Sequence, residues 1–333
     1  MFILENYGFA VAFCIVTMIC WGSWADTQKL TDKSWRFELF YWDYVIGILL
    51  MALIFAFTLG SIGDEGRSFI ADVKQGNWAN IRSALIGGAV FNIANILLIA
   101  AISVAGMSVA FPVGIGIALI LGVLDNYNDN PIGNATILFT GVGLIALAII
   151  LNAFAYKRLT STIKKVSTKG LLLSVIAGVL MGKFYGYVAN SMVKDFAQPE
   201  AGLLTPYTAV VFFAIGIFIS NFLFNTILMK VPVEGARVSY SDYFKGSRRS
   251  HIMGIAGGLI WCIGMSFSII ASGKAGPAIS YGLGQGATVV AALWGIFVWR
   301  EFKEAPKGTN PLLYLMLLFY VIGLGLIIAS RAM

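Results

Sequence analysis

Polar side chains are scarce within the long apolar stretches of this chain, and each carries a cost there. Lys183 is the only lysine or arginine deep inside any of them, in Gly178-Val-Leu-Met-Gly182-Lys183-Phe184-Tyr185-Gly186-Tyr187. On insertion scales a lysine at mid-membrane costs about 2.5–3.5 kcal/mol. A water-filled cavity, a carboxylate partner or a bound solute must offset it. Asn92 and Asn95 share one helical face, as do Asn221 and Asn225. These amides suit either a solute or an interhelical hydrogen bond. Gln285 sits in Gly282-Leu-Gly284-Gln285-Gly286, whose glycines let backbone approach a ligand or a neighbouring helix. Asp43 stands just inside an apolar stretch among Phe40, Tyr41, Trp42 and Tyr44. Burial or a cationic partner would tune its proton affinity, which makes it the candidate proton carrier. Asp26 and Asp125 end their stretches and read as solvated. Trp24, Tyr185 and Tyr281, with Trp21, Phe184 and Trp261, offer aromatic walls for a planar ring or a sugar face.

Other chemistries are poorly served. His251 is the single histidine, and Cys14, Cys20 and Cys262 form no CxxC pattern. A histidine-based metal site or catalytic triad is therefore excluded, and no disulfide framework follows. The glycines around Gln285 follow no strand, and no Walker A sequence occurs, so nucleotide-driven chemistry is not expected. No enzyme and no cofactor are expected.

These residues lie in a chain of 333 residues that is 59% hydrophobic and 12% charged. Its mean hydropathy is +0.84. Such a composition indicates an all-α integral membrane protein. Ten apolar segments are predicted: Tyr7–Ala25, Phe40–Ile62, Ile81–Val104, Met107–Leu124, Asn134–Ala153, Gly170–Asn190, Tyr207–Met229, His251–Ala271, Pro277–Val298 and Leu312–Ala329. They are numbered as spans 1 to 10. Span 1 lacks a basic leader and follows Glu5, so it reads as a retained span. The loops between them are too short and polar to form a soluble domain. Of the 23 lysines and arginines, 16 fall in the odd-numbered loops and six on the other side. The positive-inside rule then puts the odd loops in the cytoplasm and both termini outside, across a plasma (inner) membrane. The net charge of +7 thus serves orientation, and nucleic acid is not an expected partner.

A shift of 170 residues lays Gly87–Ala118 over Gly257–Thr288, with Gly87, Gly88, Gly106, Gly114 and Gly116 each meeting a glycine. A shift of 160 puts Gly22 on Gly182 and Ser23 on Lys183. The repeat unit is five spans, an odd number, so the second copy enters the membrane inverted. Inverted repeats characterise secondary transporters that alternate access around a central site. The expected division is residues 1–155, a basic connecting loop at 156–169, and residues 170–333.

Short motifs narrow this further. Cys20-Trp-Gly-Ser-Trp-Ala25, Trp42-Asp43-Tyr44, Ala56-Phe-Thr-Leu-Gly-Ser-Ile-Gly63, Gly186-Tyr-Val-Ala-Asn190 and Leu204-Thr-Pro-Tyr-Thr-Ala209 resemble the ureide permease family. That family belongs to the drug/metabolite transporter superfamily, with the ten-span glucose/ribose and rhamnose porters. The resemblance implies a ten-helix inverted-repeat fold and proton-linked uptake of small neutral solutes, ureides or nucleobases. It also implies an acidic residue at the start of span 2, which Asp43 matches. The central loop is short here, Phe154–Lys169. A monosaccharide importer is the alternative, and an exporter of drugs or organic anions a further one, with Lys183 then holding the anion. The expected lining is Trp24, Asn92, Asn95, Lys183, Tyr185, Tyr281 and Gln285, with Asp43 coupling to a proton gradient. The expected partners are the solute and the lipid bilayer, for a monomer or homodimer.

Overall fold

The computed structural model describes residues 1–159, 167–233 and 235–331, with side chains at all of these except 107 and 108. Among the described residues ten helices are long and apolar enough to cross a membrane: Tyr7–Lys29, Phe37–Phe57, Trp78–Ala105, Val109–Asp129, Ala135–Leu159, Thr168–Ala189, Pro206–Lys230, Arg248–Ala275, Pro277–Val298 and Thr309–Ala329. The ten expected spans are borne out, and the chain is an all-α membrane protein. Several bounds shift. Span 2 starts earlier, at Phe37, and ends at Phe57, where Thr58–Gly60 turn the chain. Span 5 continues to Leu159, which shortens the expected connecting loop. Lys164 and Lys165 of that loop lie outside the described residues. Span 9 is not one regular helix. It breaks at Gln285-Gly286 between Pro277–Gly284 and Ala287–Leu293, then finishes in a π turn over Trp294–Val298.

Loops of like parity gather at one end of the bundle. At one end the Met1 ammonium donates to Glu65 O at 2.5 Å and Asn134 N donates to Ser330 O at 2.7 Å. At the other, Lys29 pairs with Glu301 at 3.2 Å, Tyr156 Oη donates to the same carboxylate at 2.7 Å, and Ser250 Oγ donates to Asp32 at 3.0 Å. The large apolar side chains Ile54, Phe222, Leu223 and Val321 point outward, as lipid-facing residues must.

Glycines set the close crossings. A Cβ on Gly88 of span 3 would stand 2.0 Å from Phe213 O of span 7, and one on Gly258 of span 8 would stand 2.0 Å from Tyr44 O of span 2. Backbones this close are available only to glycine, and in lipid such contacts drive helix association. The two crossings correspond under the 170-residue shift that relates Gly88 to Gly258. So do two turns. Gly106, between spans 3 and 4, has φ 81° and ψ 155°, and Gly276, between spans 8 and 9, has φ 85° and ψ 152°. A side chain is strained at such a φ. The geometry is that expected of an inverted repeat.

Candidate functional site

Spans 1, 2, 3, 6, 7 and 8 bring their aromatic residues together in the bundle interior. Trp261 of span 8 lies against Phe91 of span 3, centroids 4.4 Å apart. Trp24 packs on Tyr44 at 4.5 Å, and Phe184 on Phe91 at 5.1 Å. Phe213 stacks on Trp261 at 6.0 Å. Trp24 therefore joins the interior cluster, and Tyr44 beside it is fully buried with its hydroxyl unbonded among the described residues.

Asn92 and Asn95 do share a face, and both reach Tyr41. The Tyr41 hydroxyl donates to Asn92 Oδ1 at 3.0 Å and accepts from Asn95 Nδ2 at 3.2 Å. Asn92 also donates to Ser220 Oγ at 2.9 Å, so it ties spans 2, 3 and 7. Asn221 is fully buried and makes no side-chain hydrogen bond among the described residues, while Asn225 donates to Glu38 O at 2.9 Å. Gln285 sits at the break of span 9, where Gly284 lies against Trp21 and Gly286 against Met18. Its glycines serve tight packing on span 1.

Tyr185 and Tyr281 lie together toward the end that holds the termini. The Tyr185 hydroxyl bonds to Ser268 Oγ at 3.1 Å and Ser280 Oγ at 3.2 Å, joining spans 6, 8 and 9. Tyr281 donates to Met181 O at 3.1 Å, and its ring fills the space that a side chain on Gly122 would need. This first half of span 9 packs on spans 1, 4 and 8, and the second half packs on span 1.

Asp43 lies at the opposite end, six residues into span 2, about 9 Å along a helix. It is 1% exposed. His251 Nδ1 reaches both of its oxygens, at 2.9 and 3.0 Å, and Tyr243 Oη donates to it at 2.7 Å. A Cβ on Gly254 would meet Asp43 Cβ at 2.4 Å, so this glycine is what admits the carboxylate. Trp35 stands edge-on to the imidazole at 5.0 Å. Burial pushes the Tyr243 phenol above its ordinary range, so it stays protonated and donates. His251 and Tyr243 were missed in the sequence. The signal present was a lone histidine opening span 8 at the same end as Asp43.

Lys183 faces away from this interior. It shares an outward stripe with Leu172, Ile176, Val179 and Tyr187, and its ammonium pairs with Asp125 Oδ2 of span 4 at 2.6 Å. Of the three ways to offset its cost, the structure shows the carboxylate partner. Asp125, expected to be solvated, is that partner. Asp26, expected likewise, accepts from Trp299 Nε1 at 2.7 Å and pairs with Lys29 at 3.2 Å.

The family model for ureide permeases matches residues 40–169 and 154–330. The chain belongs to the ureide permease family. Ureide permease 1 of Arabidopsis thaliana is 24% identical, with 99% of both chains covered. The probable glucose uptake protein GlcU of Staphylococcus aureus is 25% identical over 71% of this chain and 75% of its own. A solved chain titled "Crystal structure of protein" shares the fold, with TM-score 0.63 and 14% identity over 98% of this chain and 99% of its own. The permease is accordingly a multi-pass transport protein and not an enzyme. Its alignment with the Arabidopsis relative runs over 390 positions against 333 residues here, so gaps separate the two chains.

Proposed function

We propose that this permease imports a small neutral polar solute, of ureide or nucleobase type, together with a proton, by alternating access between its two five-span halves. The observation that carries the proton step is the Asp43–His251–Tyr243 cluster: a carboxylate 1% exposed, held by an imidazole and a phenol. A buried acid beside a histidine can exchange a proton near neutral pH. Cargo and proton sites share two helices. Tyr44 adjoins Asp43 on span 2, and Trp261 follows His251 on span 8. A change of protonation at one end of these helices would thereby reach the aromatic interior.

The cargo class rests on the family and on the interior chemistry. Aromatic faces and the amides of Asn92 and Asn95 suit a planar, uncharged ring. Trp24, Asn95, Tyr185, Tyr281 and Gln285 are the proposed contacts along the path as the halves rock. Lys183, held outward by Asp125, supports neutral cargo over an organic anion or an exported drug. The excess of Lys and Arg in the odd loops supports an orientation with both termini outside a plasma (inner) membrane. A monosaccharide is the second reading, supported by the likeness to the glucose uptake protein. Competition settles the cargo: uptake of labelled allantoin into proteoliposomes should be displaced by uracil and not by ribose or glucose. Displacement by the sugars alone would favour the second reading.

A further inference from the structure

The turn that ends span 9 is pinned to its neighbours residue by residue. Trp299 Nε1 donates to Asp26 at 2.7 Å, and the Lys29 ammonium lies 4.6 Å from the Trp299 ring centroid. Glu301 accepts from Tyr156 Oη at 2.7 Å and pairs with Lys29 at 3.2 Å. Phe302 is buried against the Tyr156 ring, centroids 5.0 Å apart. The acid of this turn is thus spent on spans 1 and 5. Between Trp299 and Glu301, Arg300 has φ 52°, the single non-glycine residue at positive φ among the described residues. Such a conformation costs free energy and persists where its neighbours impose it. The result is that Arg300 stays exposed, as does Lys303 one turn on.

Both cations line a groove of about 530 Å³ between the end of span 9 and the start of span 10. Neither has an ion-pair partner among the described residues, and neither Glu301 nor Glu304 lines the groove. The Arg158 guanidinium lies beside Gly308, just before span 10, and adds positive charge nearby. The walls are apolar and turned outward: Phe297 is 68% exposed and Tyr314 71%. Leu317 continues the wall farther along span 10. The ends of two spans set the groove at the membrane–water boundary, where aromatic rings and basic side chains both reside. Acyl chains can cover the walls but cannot meet the two cations. The complement to both is an anion that carries its own apolar tail.

We infer that this groove binds an anionic phospholipid in the leaflet at the end of the odd loops. Arg300 and Lys303 hold the phosphate, and the acyl chains lie along Phe297, Tyr314 and Leu317. The site is independent of the cargo. The test uses the full chain in phosphatidylcholine vesicles that hold a small fraction of a lipid with a photoactivatable diazirine on one acyl chain. A phosphatidylglycerol probe should label the peptides containing Phe297 and Tyr314 roughly tenfold more than a phosphatidylcholine probe. Arg300→Gln combined with Lys303→Gln should bring the two probes level. Arg300→Lys combined with Lys303→Arg should keep the preference, as should Lys307→Gln, in the same loop but outside the groove. Equal labelling by the two probes in the parent, or a preference that survives the double glutamine variant, would overturn the site. Loss of the preference on adding inorganic phosphate would overturn it too, because the groove would then take a free anion and not a lipid.

Discussion

Phe91 and Trp261 are 170 residues apart in the chain and stand 4.4 Å apart ring to ring. The same shift relates Gly88 to Gly258 and Gly106 to Gly276. The two positions related by the shift therefore meet, and each is flanked by aromatic residues from the other part of the chain: Phe184 and Phe213 beside Phe91, and Tyr44, itself packed on Trp24, beside Trp261. An aromatic pair of this kind contributes about 0.5–1.5 kcal/mol beyond its buried area. Trp261→Ala should raise the KM for cargo roughly two- to tenfold, and Trp261→Phe should restore much of it. Unchanged uptake kinetics in Trp261→Ala would remove the aromatic interior from the path.

The crossing glycines predict where the bundle is intolerant. Gly258→Ala drives a methyl group into Tyr44 O, whereas Gly143, on an open face, has no heavy atom near the position of a Cβ. Thermal unfolding in detergent should show a clear loss of melting temperature for Gly258→Ala and little change for Gly143→Ala. Equal stability of the two would mean that the spans can separate without cost.

Lys183 and Asp125 offer a double-substitution test. Removing the lysine alone leaves a carboxylate in the apolar zone without its partner, and such losses exceed the value of the intact pair. Lys183→Ala should lower the amount of folded protein, and Lys183→Ala combined with Asp125→Ala should recover it. Cargo selectivity should not change. A selective loss of acid transport in Lys183→Ala would restore the lysine as an anion site.

Asp32 supplies a pH dependence outside the spans. Hydrogen bonds from Ser247 and Ser250, at the start of span 8, hold its carboxyl below the ordinary carboxylate range. A depressed carboxyl stabilises the fold above its unfolded value, and that stability is lost as pH falls through its folded value. Asp32→Asn should therefore unfold at lower temperature than the parent at neutral pH, and the difference should close in acid. A difference that grows in acid would contradict the assignment.

Much of the fold was legible because lipid leaves few choices. Ten runs of about 20 apolar residues were enough. The glycines that line up under the 170-residue shift mark real close crossings, since a helix crossing that admits only glycine writes itself into the sequence. The site was less legible. Lys183 drew attention as a charge in an apolar run, yet a helix apolar all round gives no periodicity to say which face it uses. Leu172, Ile176 and Val179 on its outward stripe look no different from residues on the inward one. Asp43 was found by its aromatic company. Its partner was not, because His251 is 208 residues away. A single histidine is too few for a metal site or a triad, though one suffices to hold a proton. The break in span 9 was marked by Gly284-Gln285-Gly286, but the glycines serve packing against Trp21 and Met18.

The central claim is that Asp43 carries the proton that drives uptake. The direct test is accumulation of labelled allantoin in proteoliposomes, with and without an inward proton gradient, for the parent and Asp43→Asn. The account predicts gradient-dependent accumulation in the parent, and its loss in Asp43→Asn with solute exchange retained. Gradient-driven accumulation that survives Asp43→Asn would contradict it.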